Sequence, residues 1–136
     1  MLQQYLPGRN IAWDSFWYKG KLVSSFTRER LEYPFKHISP SGITGTPTVS
    51  KIIIDESVNK IGENAVKSVD DKPHGNYAVD LKEDNDGNWH VTEIDSGKFH
   101  TTTPLWGFIS TKFLKQDPLH NFPYLYTMLG LEEISD

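Results

Sequence analysis

The chain has 136 residues, enough for one domain with a single buried core, and its 37% hydrophobic and 24% charged content is that of an ordinary globular protein. It contains no cysteine, which excludes disulfides, thiolate zinc sites and cysteine nucleophiles. The net charge of −4 is unevenly spread: residues 1–54 carry seven Lys/Arg against three Asp/Glu, and residues 55–136 carry seven against fifteen, a distribution that argues against nucleic acid as a partner of the second part.

Ile11 to Tyr18 is dense in aromatic residues although it alternates poorly, and Lys19-Gly20 supplies a tight turn into a second strand over Lys21 to Thr27. Glu32 to Thr48 reads as a long loop punctuated by Pro34, Pro40, Gly42, Gly45 and Pro47. Val49 to Ile54 is a short β-branched strand. Asp55 can cap a helix from Glu56 to Val69, whose apolar positions Val58, Ile61, Ala65, Val66 and Val69 share one face. Gly62 weakens that helix without breaking it. Asn76 to Lys82 and Asn88 to Ile94 read as the strands of a hairpin joined through Glu83-Asp84-Asn85-Asp86-Gly87. Thr103 and Pro104 open a helix to Lys115, and Phe122 to Leu129 reads as a last helix stopped by Gly130. The expected class is α+β, with a largely antiparallel sheet and helices packed on one face.

Asp86-Gly87 is a strong hairpin signal, because both positions of such a turn favour positive φ. If Asp86-Gly87 is a two-residue turn, Asp80 sits directly across from Glu93, with Asp95 on the same face by strand alternation. A four-residue turn would shift the register and spoil that pairing. Carboxylates in direct opposition weaken a sheet unless a cation neutralises them. Three oxygen donors without histidine or cysteine favour a hard ion such as magnesium, manganese or calcium over zinc. An acidic hairpin simply facing water fits the same residues.

Gly75-Asn76-Tyr77-Ala78-Val79-Asp80-Leu81, followed by Glu93-Ile94-Asp95, resembles the metal-binding end of an ATP-grasp domain. Such domains, as in carbamoyl-phosphate synthetases and related carboxylate–amine ligases, commonly carry Asp on one strand and Glu-x-Asn on the next. The resemblance implies that Asp80, Glu93 and Asp95 bind magnesium (or manganese) bridging the phosphates of ATP, with Asp95 in place of the usual Asn. Gly97 to Thr103 resembles the following loop, and Lys98 stands where an arginine is frequent. Gln3 to Asn10 resembles the hinge whose backbone contacts adenine, which implies cofactor contacts at Gln4, Leu6 and Asn10; Asn10 replaces the Glu that often holds the ribose. Arg28 and Arg30 fall where the family places basic phosphate contacts, so these two and Lys98 are the candidate catalytic residues. The loop Ser39 to Gly45 also looks family-like. The likeness spans nearly all of residues 1–136, read as one domain, yet only the second half of an ATP-grasp domain, without its N-terminal subdomains.

The other candidates read as packing. His37, His74, His90, His100 and His120 show no ligand spacing, and His90 should point away from the acidic cluster. Trp13, Trp17, Trp89 and Trp106 suit core and sheet-face positions. Ser24, Ser25, Ser39 and Ser41 lack a paired base. No apolar run approaches the roughly 20 residues of a membrane span. Met1 to Tyr5 lacks the features of a signal peptide, so a cytoplasmic protein is expected. Two functions are consistent with this sequence. One is an ATP- and magnesium-binding half-domain of a carboxylate ligase, completed by a separate chain. The other is a noncatalytic α+β module that binds metal or a protein partner, or forms a homo-oligomer.

Overall fold

A computed structural model describes residues 4–97. They form an α+β fold whose five strands run in the order β3-β2-β1-β4-β5, every neighbouring pair antiparallel. The strands are β1 (Asn10–Tyr18), β2 (Lys21–Glu32), β3 (Val49–Ile52), β4 (Gly75–Glu83) and β5 (Trp89–Ser96). One helix, α1 (Glu56–Val69), connects β3 to β4, and a single 3₁₀ turn (Lys36–Ile38) interrupts the long loop after β2. The helices expected over Pro104–Lys115 and Phe122–Leu129 lie outside the described residues.

The poor alternation of the first strand has a positional cause. β1 is the middle strand, and Ile11 through Trp17 are buried on both of its faces. Trp13 and Trp17 turn toward α1, while Ala12, Asp14 and Phe16 turn to the opposite face. Lys19 (φ 48°) and Gly20 (φ 88°) form the expected tight turn, both in the left-handed region that matches strand twist.

Asp55 caps α1: its Oδ1 accepts from the Ser57 and Val58 backbone N–H groups at 2.9 and 3.3 Å. Val58 and Val66 enter the core with Ile11, Trp13, Trp17, Tyr77, Val79 and Leu81, while Val69, expected on the same face, is exposed in the last turn. Asn59 ties helix to sheet, its Oδ1 accepting from Trp13 Nε1 at 3.1 Å and Thr27 Oγ1 at 3.3 Å.

The second hairpin differs from expectation at its turn. Its connection spans Asp84 to Asn88, closed by Asp84 N–H to Asn88 O at 2.9 Å, and Gly87 but not Asp86 takes positive φ. The ladder then shifts by one residue between Asp80 and Leu81: Asp80 faces Glu93, but Leu81 faces Val91, leaving Thr92 as a bulge. The longer turn and the bulge offset each other, so the expected opposition of Asp80 and Glu93 is found. His90, by contrast, faces Lys82 and shares the face of Asp80 rather than pointing away, because the bulge reverses the alternation between them.

Among the described residues, no helix is long and apolar enough to cross a membrane.

Candidate functional site

The face opposite α1 follows from the registers. Arg30, Asn10, Lys82 and His90 lie in one row across β2, β1, β4 and β5, and Arg28, Ala12, Asp80 and Glu93 lie in the next. Phe26, Asp14, Ala78 and Asp95 make the third row. Cations thus gather toward β2 and carboxylates toward β5. The alanines at the two strand crossings, Ala12 and Ala78, leave room for long side chains to reach diagonally across them.

Arg30 makes that reach. Its Nη1 donates to Asp80 Oδ2 at 2.8 Å and its Nη2 to Asp80 Oδ1 at 2.7 Å, a two-pronged ion pair. Burial pulls the Arg30 pKa down, but the bonds and charge of Asp80 outweigh it and raise the value overall. Asn10 donates to the Tyr33 hydroxyl at 2.7 Å and accepts from Arg30 at 3.5 Å. Thr92, the bulged residue, donates to the Asp80 carbonyl at 3.1 Å.

Arg28 is only 4% exposed. Asp14 lies 3.7 Å from its Nε, yet neither Nε nor Nη1 has a hydrogen-bond acceptor, and Arg30 Nε is likewise buried without one. Burial lowers the Arg28 pKa while the charge of Asp14 opposes that shift. Buried N–H groups without acceptors carry a desolvation penalty that an anionic ligand would relieve.

A cleft of about 280 Å³ opens at this end of the face. Gln4, Leu6, Asn10, Arg30, Asp80 and Lys82 line it, with Ser41 and Ile43 from the loop after β2. The approach to the cleft is fastened to the sheet: Gly8 N–H donates to Glu83 O at 2.9 Å and Glu83 N–H to Arg9 O at 3.0 Å. Arg9 adds two bonds to the Glu83 carboxylate, at 2.8 and 3.0 Å, and lies 4.8 Å over the Trp89 ring. Lys82 Nζ donates to the Leu6 carbonyl at 3.3 Å. A larger groove of about 520 Å³ runs along Leu22–Thr27 and Ile52–Ile54, but no charged side chain is among its described lining residues. Of these two, the smaller cleft has the charged lining.

The expected site residues distribute as follows. Gln4, Leu6, Asn10, Arg30 and Asp80 line one cleft; Arg28 lies one row deeper on the same face and does not line it. Glu93 is exposed opposite Asp80, and Asp95 follows on the same face. Lys98 lies outside the described residues. Among the described residues no three His, Asp or Glu side chains converge as a metal-holding group. Both oxygens of Asp80 are taken by the Arg30 fork, so the described acids do not by themselves make a metal site, while the acceptor-less guanidinium N–H groups suit an anion such as phosphate. Sequence reasoning missed Lys82 and Tyr33. Lys82 was detectable, two positions after Asp80 on the same strand face; Tyr33 was not, because it lies beyond a strand end in a loop.

No model of a known protein family matches the chain, and no curated protein matches it.

Proposed function

We propose that this protein binds ATP with magnesium on the charged face of its sheet, as the phosphate- and metal-binding part of an ATP-grasp carboxylate ligase. One observation carries the reading. Residues assigned by sequence resemblance to separate tasks, namely adenine contact (Gln4, Leu6), ribose contact (Asn10), phosphate contact (Arg30) and metal binding (Asp80), come from three separate stretches of the chain yet line a single cleft.

When bound, the magnesium nucleotide would supply a phosphoryl group for transfer to a carboxylate. The chain's own residues would hold and orient it. Arg30 would donate to phosphate oxygens, relieving its buried Nε–H of its acceptor deficit, and Arg28, buried one row deeper, would add its charge from behind. Asp80, Glu93 and Asp95 would hold the metal, and the Gln4–Leu6 backbone would set the position of the base.

Calorimetric titration of Mg·ATP tests this. Wild-type protein is expected to bind, and Glu93→Ala to bind about tenfold more weakly or worse. Glu93 is exposed on β5, the outermost strand among the described residues, so the substitution spares the core. No binding by the wild type at millimolar nucleotide, or equal binding by both proteins, would sink the proposal.

A further inference from the structure

We infer that Lys82 is the residue that draws a ligand's phosphate group into the cleft, because no described carboxylate cancels its charge. The inference adds an anion contact to the nucleotide reading and rests on it only for the molecule that carries the phosphate.

The carboxylates around Lys82 are already committed. Asp80, two residues earlier on the same face of β4, is held by both prongs of the Arg30 fork at 2.7 and 2.8 Å. Glu83, the next residue of β4, takes two bonds from the Arg9 side chain at 2.8 and 3.0 Å. Asp84 lies 2.8 Å from Nε2 of His90, the residue across from Lys82 on β5, and also accepts from the Asp86 and Asn88 backbone. Glu93 faces Asp80 instead. Among the described residues no ion pair joins Lys82 to a carboxylate. Its partner is a neutral acceptor, the Leu6 carbonyl, at 3.3 Å.

Position adds to charge. Lys82 is half-buried, so its ammonium has lost part of its hydration, and one long bond to a carbonyl replaces little of it. Arg30 and Asp80 cancel each other within the cleft, which leaves its described lining net positive through Lys82. Lys82 and Arg30 stand in one row on either side of Asn10, and the buried Arg30 Nε–H lacks an acceptor. A phosphate between them meets an ammonium with donors to spare and a guanidinium N–H in need of a bond. Nε is no part of the fork to Asp80, so that ion pair can persist.

The test is calorimetric titration of tripolyphosphate, without metal. Wild-type protein should bind it, and Lys82→Gln should bind about tenfold more weakly or worse. Glutamine keeps an N–H donor for the Leu6 carbonyl, so the loss reports charge rather than a loosened Leu6 segment. Lys82→Arg keeps the charge and should stay within about threefold of the wild type. Lys51→Gln removes an exposed lysine from β3 and should bind as the wild type does. Added salt should weaken the wild type more steeply than Lys82→Gln. No binding by the wild type, or equal binding by it and Lys82→Gln, overturns the inference. So does an equal loss in Lys51→Gln, since general surface charge would then suffice. Should Lys82→Gln fail to fold, the nitrogen NMR resonance of the wild-type Lys82 side chain decides: tripolyphosphate should shift it, and no shift at saturation overturns the inference. Mg·ATP bound equally by wild type and Lys82→Gln sinks this inference and leaves the nucleotide reading standing. Tripolyphosphate bound through Lys82 with no binding of Mg·ATP does the reverse.

Discussion

The ring of Trp13 packs against α1 at Gly62, so close that a Cβ on residue 62 would come within 2.4 Å of Trp13 Cδ2 and 2.6 Å of Cε3. Trp13 cannot yield: it is fully buried on the central strand and its indole N–H is held by Asn59. In an isolated helix, Gly→Ala would stabilise by about 1 kcal/mol. Here the overlap reverses the sign, and Gly62→Ala should destabilise by about 1–3 kcal/mol, the usual range for an overpacked core. Urea unfolding of the two proteins checks it; an alanine variant as stable as the parent would contradict the close contact.

Gly8 presents a similar constraint at the cleft. A Cβ there would meet the Glu83 carbonyl oxygen at 2.6 Å, and backbone cannot move aside as a side chain can. Gly8→Ala should open the Gly8–Glu83 pairing and loosen the segment that brings Leu6 to the cleft wall. The expected signature is local. Amide exchange at Gly8 and Glu83 accelerates, Mg·ATP affinity falls, and global stability changes by about 1 kcal/mol or less, as for other sites away from the core.

Acid should weaken the fold through identifiable carboxylates. Hydrogen bonds from Arg9 hold the Glu83 carboxyl below its ordinary value of 4.5, and the bond from Ser57 holds Asp55 below 3.8. The unfolded chain binds these protons more readily than the folded one. The stabilisation is therefore complete above the unfolded values and is lost as pH falls through them toward the lower folded values. The melting temperature should decline from about pH 5 downward, and Glu83→Gln should lower the plateau and flatten part of that decline. A wild-type melting temperature that stays level to about pH 3 would contradict this assignment.

Sequence and structure agree best where the determinants are local. The Lys19-Gly20 turn, the Asp55 cap and the helical spacing of Val58 and Val66 each depend on residues within a few positions of one another. The acidic hairpin was legible for a less secure reason. Its turn is longer than Asp86-Gly87 suggested, and the bulge at Thr92 returned Asp80 and Glu93 to opposition. His90 lies on the wrong side of that bulge, so its face was misread. No signal in the sequence marks Thr92 as the extra residue, since a bulge satisfies strand propensity as well as a regular pair does.

The sequence by itself determined the α+β class, the order of the elements over the described residues and the strand face shared by Glu93 and Asp95. Chain-local chemistry and two-residue alternation suffice for these. Only the tertiary structure decided that β1 lies in the middle of the sheet, which brings Arg30 on one neighbour and Asp80 on the other within reach across Ala12. It also decided that Gln4 and Leu6 share a cleft with that pair, and that Gly62 is required by Trp13. Each of these contacts joins residues far apart in the chain. Their partners are chosen by strand order and side-chain volume, which no single segment encodes.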